Sequence, residues 1–93
     1  MGLMFRKFLL PNDGVLLVEA SDSRMNSSIH MLFMNFDIAV IWINSNMIVV
    51  DKVLAKKWKP YYAPQEPAKF ILEINPDQIN AFKIGDQVTF SYD

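Results

Sequence analysis

A lone histidine, His30, stands seven residues before Asp37, and Arg6 lies near the N-terminus. An imidazole oriented by a carboxylate is the smallest set that could move a proton at neutral pH. A guanidinium could clamp an anion beside them. Each residue also has a plainer reading. A single His is commonly a half-buried side chain. An Asp at the entrance to an apolar strand commonly accepts backbone N–H groups at a turn. A lone Arg is commonly a surface charge or one half of an ion pair. Both readings stay open for His30, Asp37 and Arg6. No catalytic residue is assigned.

The other candidate is a basic-aromatic cluster: Lys56, Lys57, Trp58, Lys59, Tyr61 and Tyr62. Rings beside lysines can stack a planar group and hold an anion. Alternatively, the rings anchor a proline-rich loop and the ammonium groups stay in water. Trp58, Lys59 and Tyr61 join Arg6, His30 and Asp37 as candidate contacts for a ligand or partner. Further chemistry is hard to find. The chain has no cysteine, so disulfides, thiolate metal sites and cysteine nucleophiles are excluded from it. No second His or carboxylate sits at ligand spacing on the short element that carries His30, so no metal is expected. Gly85-Asp86 lacks the glycine series of a phosphate loop. Ser27 and Ser28 have no spacing that supports a triad.

The totals set the frame. Ninety-three residues with 52% hydrophobic side chains suit one domain, residues 1–93, with one core. A net charge of −1 gives no basic excess for phosphate contacts. Nucleic acid is therefore not an expected partner, and neither is a membrane. The apolar stretch at residues 38–43 is too short to span a bilayer. The N-terminal residues lack the apolar run and cleavage site of a signal peptide, which suits a cytoplasmic address.

The elements that must position these residues follow from pattern. Leu3, Met4, Phe8 and Leu9 share a helical spacing, so residues 2–10 read as a short amphipathic helix. Pro11-Asn-Asp-Gly14 is a turn. Val15 to Val18 read as a buried strand, and residues 20–28 as a loop. Residues 29–36 look extended. Residues 38–52 read as a β-hairpin whose turn, Asn44-Ser-Asn46, offers asparagines for positive φ. Residues 54–67 hold three of the five prolines and read as a long irregular loop. Residues 70–74 form a strand, Asn75 caps a helical turn at 76–82 begun by Pro76, and residues 87–92 form a last strand with one wet face. Ile79 and Phe82 of the helical turn face the core at helical spacing.

The order of motifs resembles the domain of unknown function 192 family, also called uncharacterised protein family 0127. The resemblance rests on Gly2-Leu-Met-Phe-Arg6, on the strand from Gly14 to Val18, and on His30-Met-Leu-Phe-Met-Asn-Phe-Asp37 leading into a hairpin. Pro67-Ala-Lys-Phe-Ile-Leu-Glu73 and Lys83-Ile-Gly-Asp-Gln-Val88 complete it. The chain departs from the family in lacking Trp-Met-Lys-Asn around Met31 to Met34, and in its Asn44-Ser-Asn-Met47 turn. The resemblance implies a compact, mostly β, barrel-like domain and no assigned activity.

These readings converge on a mostly β (α+β) fold of about six strands. It would be a small closed or partly closed β-barrel-like domain with one short helix at 76–82, since both faces of residues 38–43 are apolar. The expected function is a non-enzymatic binding or interaction module for an unknown small ligand or protein partner, with no cofactor. One alternative is a small enzyme using Asp37 with His30 or Arg6. Another is an accessory subunit of a larger assembly, docking through a strand edge.

Overall fold

The structure, a computed structural model, describes residues 6–9, 14–23, 29–30, 36–57 and 61–90. Among the described residues, seven strands and one 3-10 helix run in the order β1 (Arg6–Leu9), β2 (Val15–Ser23), β3 (Ile29–His30), β4 (Ile38–Ile43), β5 (Val49–Ala55), β6 (Tyr61–Tyr62), β7 (Ala68–Ile74) and η1 (Pro76–Ala81). Five strands form one antiparallel sheet in the order β1-β2-β7-β4-β5, and β3 pairs with β6 as a separate ribbon. The mostly β class with a short helix is therefore what the chain adopts.

β4 is an interior strand, between β7 and β5, and every one of its residues is buried. Its side chains alternate between two clusters. Ile38, Val40 and Trp42 pack with Ala55, Ala68 and Ile71, backed by Leu17, Val50, Val53 and Tyr62. Ile41 and Ile43 pack with Leu16, Val49 and Leu72, backed by Phe70, Phe82, Val88 and Phe90. This explains why the expected barrel closure is absent. An apolar strand needs cover on both faces, and residues 82–90 supply it on the second face. The sheet stays open, with β1 and β5 as its outer strands.

Other expectations change as well. Residues 6–9 are a strand, not a helix, because pairing of Phe8 with Leu16 and Leu9 with Val15 overrides a weak local period. β2 does not stop at Val18. It runs to Ser23 through a register shift against β7, so part of the expected loop at 20–28 is strand. The expected irregular loop at 54–67 begins later, since β5 reaches Ala55, and it contains the strand β6. The last strand is not a ladder. Gln87 makes an isolated bridge to Ile48, Val88 donates its N–H to Met47 O at 2.9 Å, and the predicted alternation survives only as partial burial of Val88 and Phe90. The rest of the N-terminal segment, most of the Pro11–Gly14 turn, residues 24–28 and 31–35, and the end of the last segment lie outside the described residues.

The hairpin forms as predicted, with one difference at its turn. Asn44 is an acceptor: its Oδ1 receives N–H bonds from Asn46 and Ile48, each at 3.0 Å. Positive φ falls instead on Met47, at 65°. The tip is tied to β2 by Asp22, which accepts the Ser45 N–H at 2.9 Å and the Ser45 hydroxyl at 2.6 Å. η1 starts as its sequence dictates. Asn75 Oδ1 accepts the Asp77 N–H at 2.9 Å and Pro76 opens the helix. It ends at Ala81 and contributes no buried residue; Phe82, already extended, does the packing. Lys52 holds the end of η1 from below, donating to Ile79 O at 3.2 Å and Phe82 O at 2.8 Å.

β5 is an outer strand, and an open edge invites pairing with another chain. Asp51 guards it. Its Oδ1 accepts the Lys52 N–H at 2.8 Å and its Oδ2 accepts the Gln65 N–H at 2.9 Å. Asp51→Ala is expected to release both donors and promote edge pairing. Sedimentation of the variant across a concentration series should show mass rising more steeply than in the parent. Identical curves would mean the edge is protected by other means. No helix of the described residues is long and apolar enough to cross a membrane.

Candidate functional site

The sheet places Asp37 immediately before β4, across from the end of β5, where Ile38 pairs with Ala55. Chain reversal there leaves the N–H of Lys57 without a strand partner. Asp37 Oδ1 accepts it at 2.9 Å, and Oδ2 lies 3.4 Å from the Lys56 ammonium. The backbone bond from Lys57 does most to hold the Asp37 carboxyl below its usual range; partial desolvation pushes the other way, and the Lys56 and Lys57 charges add to the depression. Asp37 is thus an anion that clasps the β4 and β5 ends. Its low pKa makes it a poor proton carrier near neutral pH.

The second half of the site comes from the ribbon. Ile29 pairs with Tyr62, and His30 with Tyr61. The Tyr62 hydroxyl accepts the Lys56 N–H at 2.8 Å. One phenol therefore joins the ribbon to the segment that holds Asp37. The backbones of His30 and Tyr61 come together opposite each other, linked through Tyr62 and Lys56 to Asp37. Trp58 and Lys59 lie outside the described residues.

Arg6 is elsewhere. It pairs with Val18, Val18 with Phe70, and Phe70 with Ile43. Arg6 is level with the far end of β4 and on the opposite outer strand from β5. At about 4.8 Å per strand and about 3.3 Å per residue, its backbone is roughly 25 Å from that of Asp37. The fold does not bring Arg6 and Asp37 together.

Two residues missed by sequence reading stand out. Phe36, next to Asp37, is 60% exposed. A large ring left in water beside a fixed charge suits a contact surface. The signal was its position at the end of the aromatic-Met run, where an apolar residue is easily assigned to the core. Glu19 is the opposite case: it is 4% exposed, and its Oε2 has no hydrogen-bond partner among the described residues. Burial pushes its carboxyl above the usual Glu range. Among the described residues, no group of three or more metal-ligating side chains is close enough to hold an ion.

The domain of unknown function 192 profile, described as "Uncharacterized ACR", matches residues 1–90. The UPF0127 protein of Pyrococcus furiosus is 40% identical over 93 residues, covering 98% of this chain and 77% of the relative. That of Thermococcus kodakarensis is 44% identical over 92 residues, covering 97% of this chain and 57% of the relative. That of Thermococcus gammatolerans is 35% identical over 82 residues, covering 88% and 53%. The chain thus spans little more than half the length of the two Thermococcus proteins. No solved structure is significantly similar to it. With the profile spanning nearly every residue and the Pyrococcus protein aligned along most of both chains, this chain belongs to the domain of unknown function 192 family, whose members have no assigned function.

Proposed function

We propose that the protein is a non-enzymatic binding module, a single domain whose recognition surface lies at the Asp37 end of the sheet. The observation that carries this reading is the linkage of Asp37, Lys56 and Tyr62 to the His30–Tyr61 register pair, with Phe36 exposed beside it. Contact residues are Phe36, Asp37, Lys57, His30 and Tyr61, with Trp58 and Lys59 on the connecting segment. An enzyme built on Asp37 draws less support, because both carboxylate oxygens are already engaged and the pKa is depressed. The target is a small ligand or a protein, not nucleic acid or a membrane, in keeping with the net charge of −1. A cysteine-free chain suits a cytoplasmic setting.

A thermal-shift screen tests the reading. A ligand at about 100 times its dissociation constant adds about 2.7 kcal/mol to stability. The shift should vanish in Phe36→Ala, which removes an exposed ring and leaves the core untouched. A ligand whose shift persists in that variant binds elsewhere, and the assignment falls.

The Asp37 clasp makes its own prediction. A folded pKa below the unfolded value stabilises the fold above the unfolded value, and that contribution is lost as pH falls through the folded value. Asp37→Asn should remain folded, melt lower at neutral pH and lose less stability on acidification than the parent. Parallel melting curves for the two proteins down to acid pH would show that the clasp contributes nothing.

A further inference from the structure

We propose that the partner is an acidic protein segment with an apolar anchor, taken up by Phe36 and the lysines beside it. The inference rests on the recognition surface described above and names its partner. Charge comes first. Residues 54–62 carry Lys56, Lys57 and Lys59 and no acidic residue, so the rest of the chain holds all of the negative balance. The nearest acid, Asp37, accepts from the Lys57 N–H with one oxygen and faces the Lys56 ammonium with the other. It has little left to offer a cationic ligand. The Lys57 side chain is exposed, and that of Lys56 is 39% exposed. The described charges at this end, Lys56 and Lys57 against Asp37, leave a net positive charge with the Lys57 side chain in solvent, which favours an anionic partner.

The apolar part comes second. Phe36 is among the most exposed large hydrophobic residues described, at 60%, and it adjoins the clasp. Aromatic residues are enriched at the core of protein interfaces and polar residues at their rim. A nucleic acid would call for a row of stacking rings along a basic groove and a basic chain overall. Among the described residues Phe36 is the exposed large ring at this end of the sheet, and on a chain of net charge −1 it fits a short peptide better.

The test uses three labelled probes in fluorescence anisotropy. One is a short peptide with a central Leu flanked by Asp and Glu. One is the same peptide with Lys and Arg flanks. One is a single-stranded oligonucleotide. The acidic peptide should bind, weaken as salt is raised, and lose about tenfold or more in affinity in Phe36→Ala and in Lys57→Gln. Lys83→Gln, on the exposed surface of residues 82–90, should leave it unchanged. Lys57→Gln keeps the N–H that Asp37 needs, so loss of binding there is not loss of fold; each variant's melting curve confirms this. No binding of the acidic peptide, equal binding of the reversed peptide, or tighter binding of the oligonucleotide overturns the proposal. If another probe binds and Phe36→Ala abolishes it, the surface stands and only the partner class falls. If binding is indifferent to Phe36 and Lys57, the surface falls too.

Discussion

Trp42→Ala is expected to lower the unfolding free energy by about 3–5 kcal/mol. Trp42 is 1% exposed and sits on an interior strand, where it pairs with Asp51 on one side and Ile71 on the other. Its ring belongs to the cluster formed with Ile38, Val40, Ala55, Ala68 and Ile71. Truncation removes the transfer energy of the ring and leaves a cavity between strands that cannot close without breaking two ladders. In a chain of this size such a loss is a large share of total stability. Urea unfolding of parent and variant measures it. A midpoint close to the parent's would mean that the ring is not part of the core.

The second large effect concerns Glu19. A buried carboxyl without a partner for one oxygen is destabilising when ionised. Its folded pKa is raised, so the direction of the pH effect is fixed. Below the unfolded value both states are protonated and stability is full. As pH rises, the unfolded chain ionises while the folded carboxyl keeps its proton, and stability falls until the folded value is passed. The parent should therefore lose stability from the ordinary Glu range upward. Glu19→Gln should remove that slope. Glu19→Leu should be more stable than the parent at neutral pH, by about 1–3 kcal/mol, since a buried acid with one oxygen unpartnered gives way to an apolar group. An unchanged slope in Glu19→Gln would assign the pH dependence to another group.

These two residues also show what a sequence can and cannot reveal. The hairpin around Trp42 was legible because six consecutive apolar residues, a turn rich in asparagine and a second apolar run leave few alternatives. The Asn75-Pro76 start of η1 was legible for a similar reason: capping is local chemistry. Glu19 was not. A charged residue after Val15 to Val18 reads as the end of a strand, whereas β2 shifts register and carries it into the interior. The identity of β1 depends on β2 reaching back to it, and four residues cannot declare that by period alone. The barrel reading failed on cover, since two apolar faces do not say whether closure or an overlying segment hides them. Phe82, Val88 and Phe90 do so here.

The candidate site divides along the same line. Asp37 at the entrance to β4 suggested a turn acceptor, and it is one. The juxtaposition of His30 with Tyr61, and the Tyr62 hydroxyl bond to Lys56, come from tertiary pairing between distant segments. No spacing rule encodes them. Arg6 looked like a partner for Asp37 only while strand order was unknown.

The most direct test of the recognition surface is an amide chemical-shift map of the isotope-labelled protein, titrated with the acidic peptide and with any ligand from the thermal screen. Shifts should concentrate on Phe36, Asp37, Lys56 and Lys57, and on the Ile29–His30 and Tyr61–Tyr62 ribbon. Shifts gathered instead on η1 and residues 82–90, or on β1, would contradict it and move the functional surface to another part of the molecule.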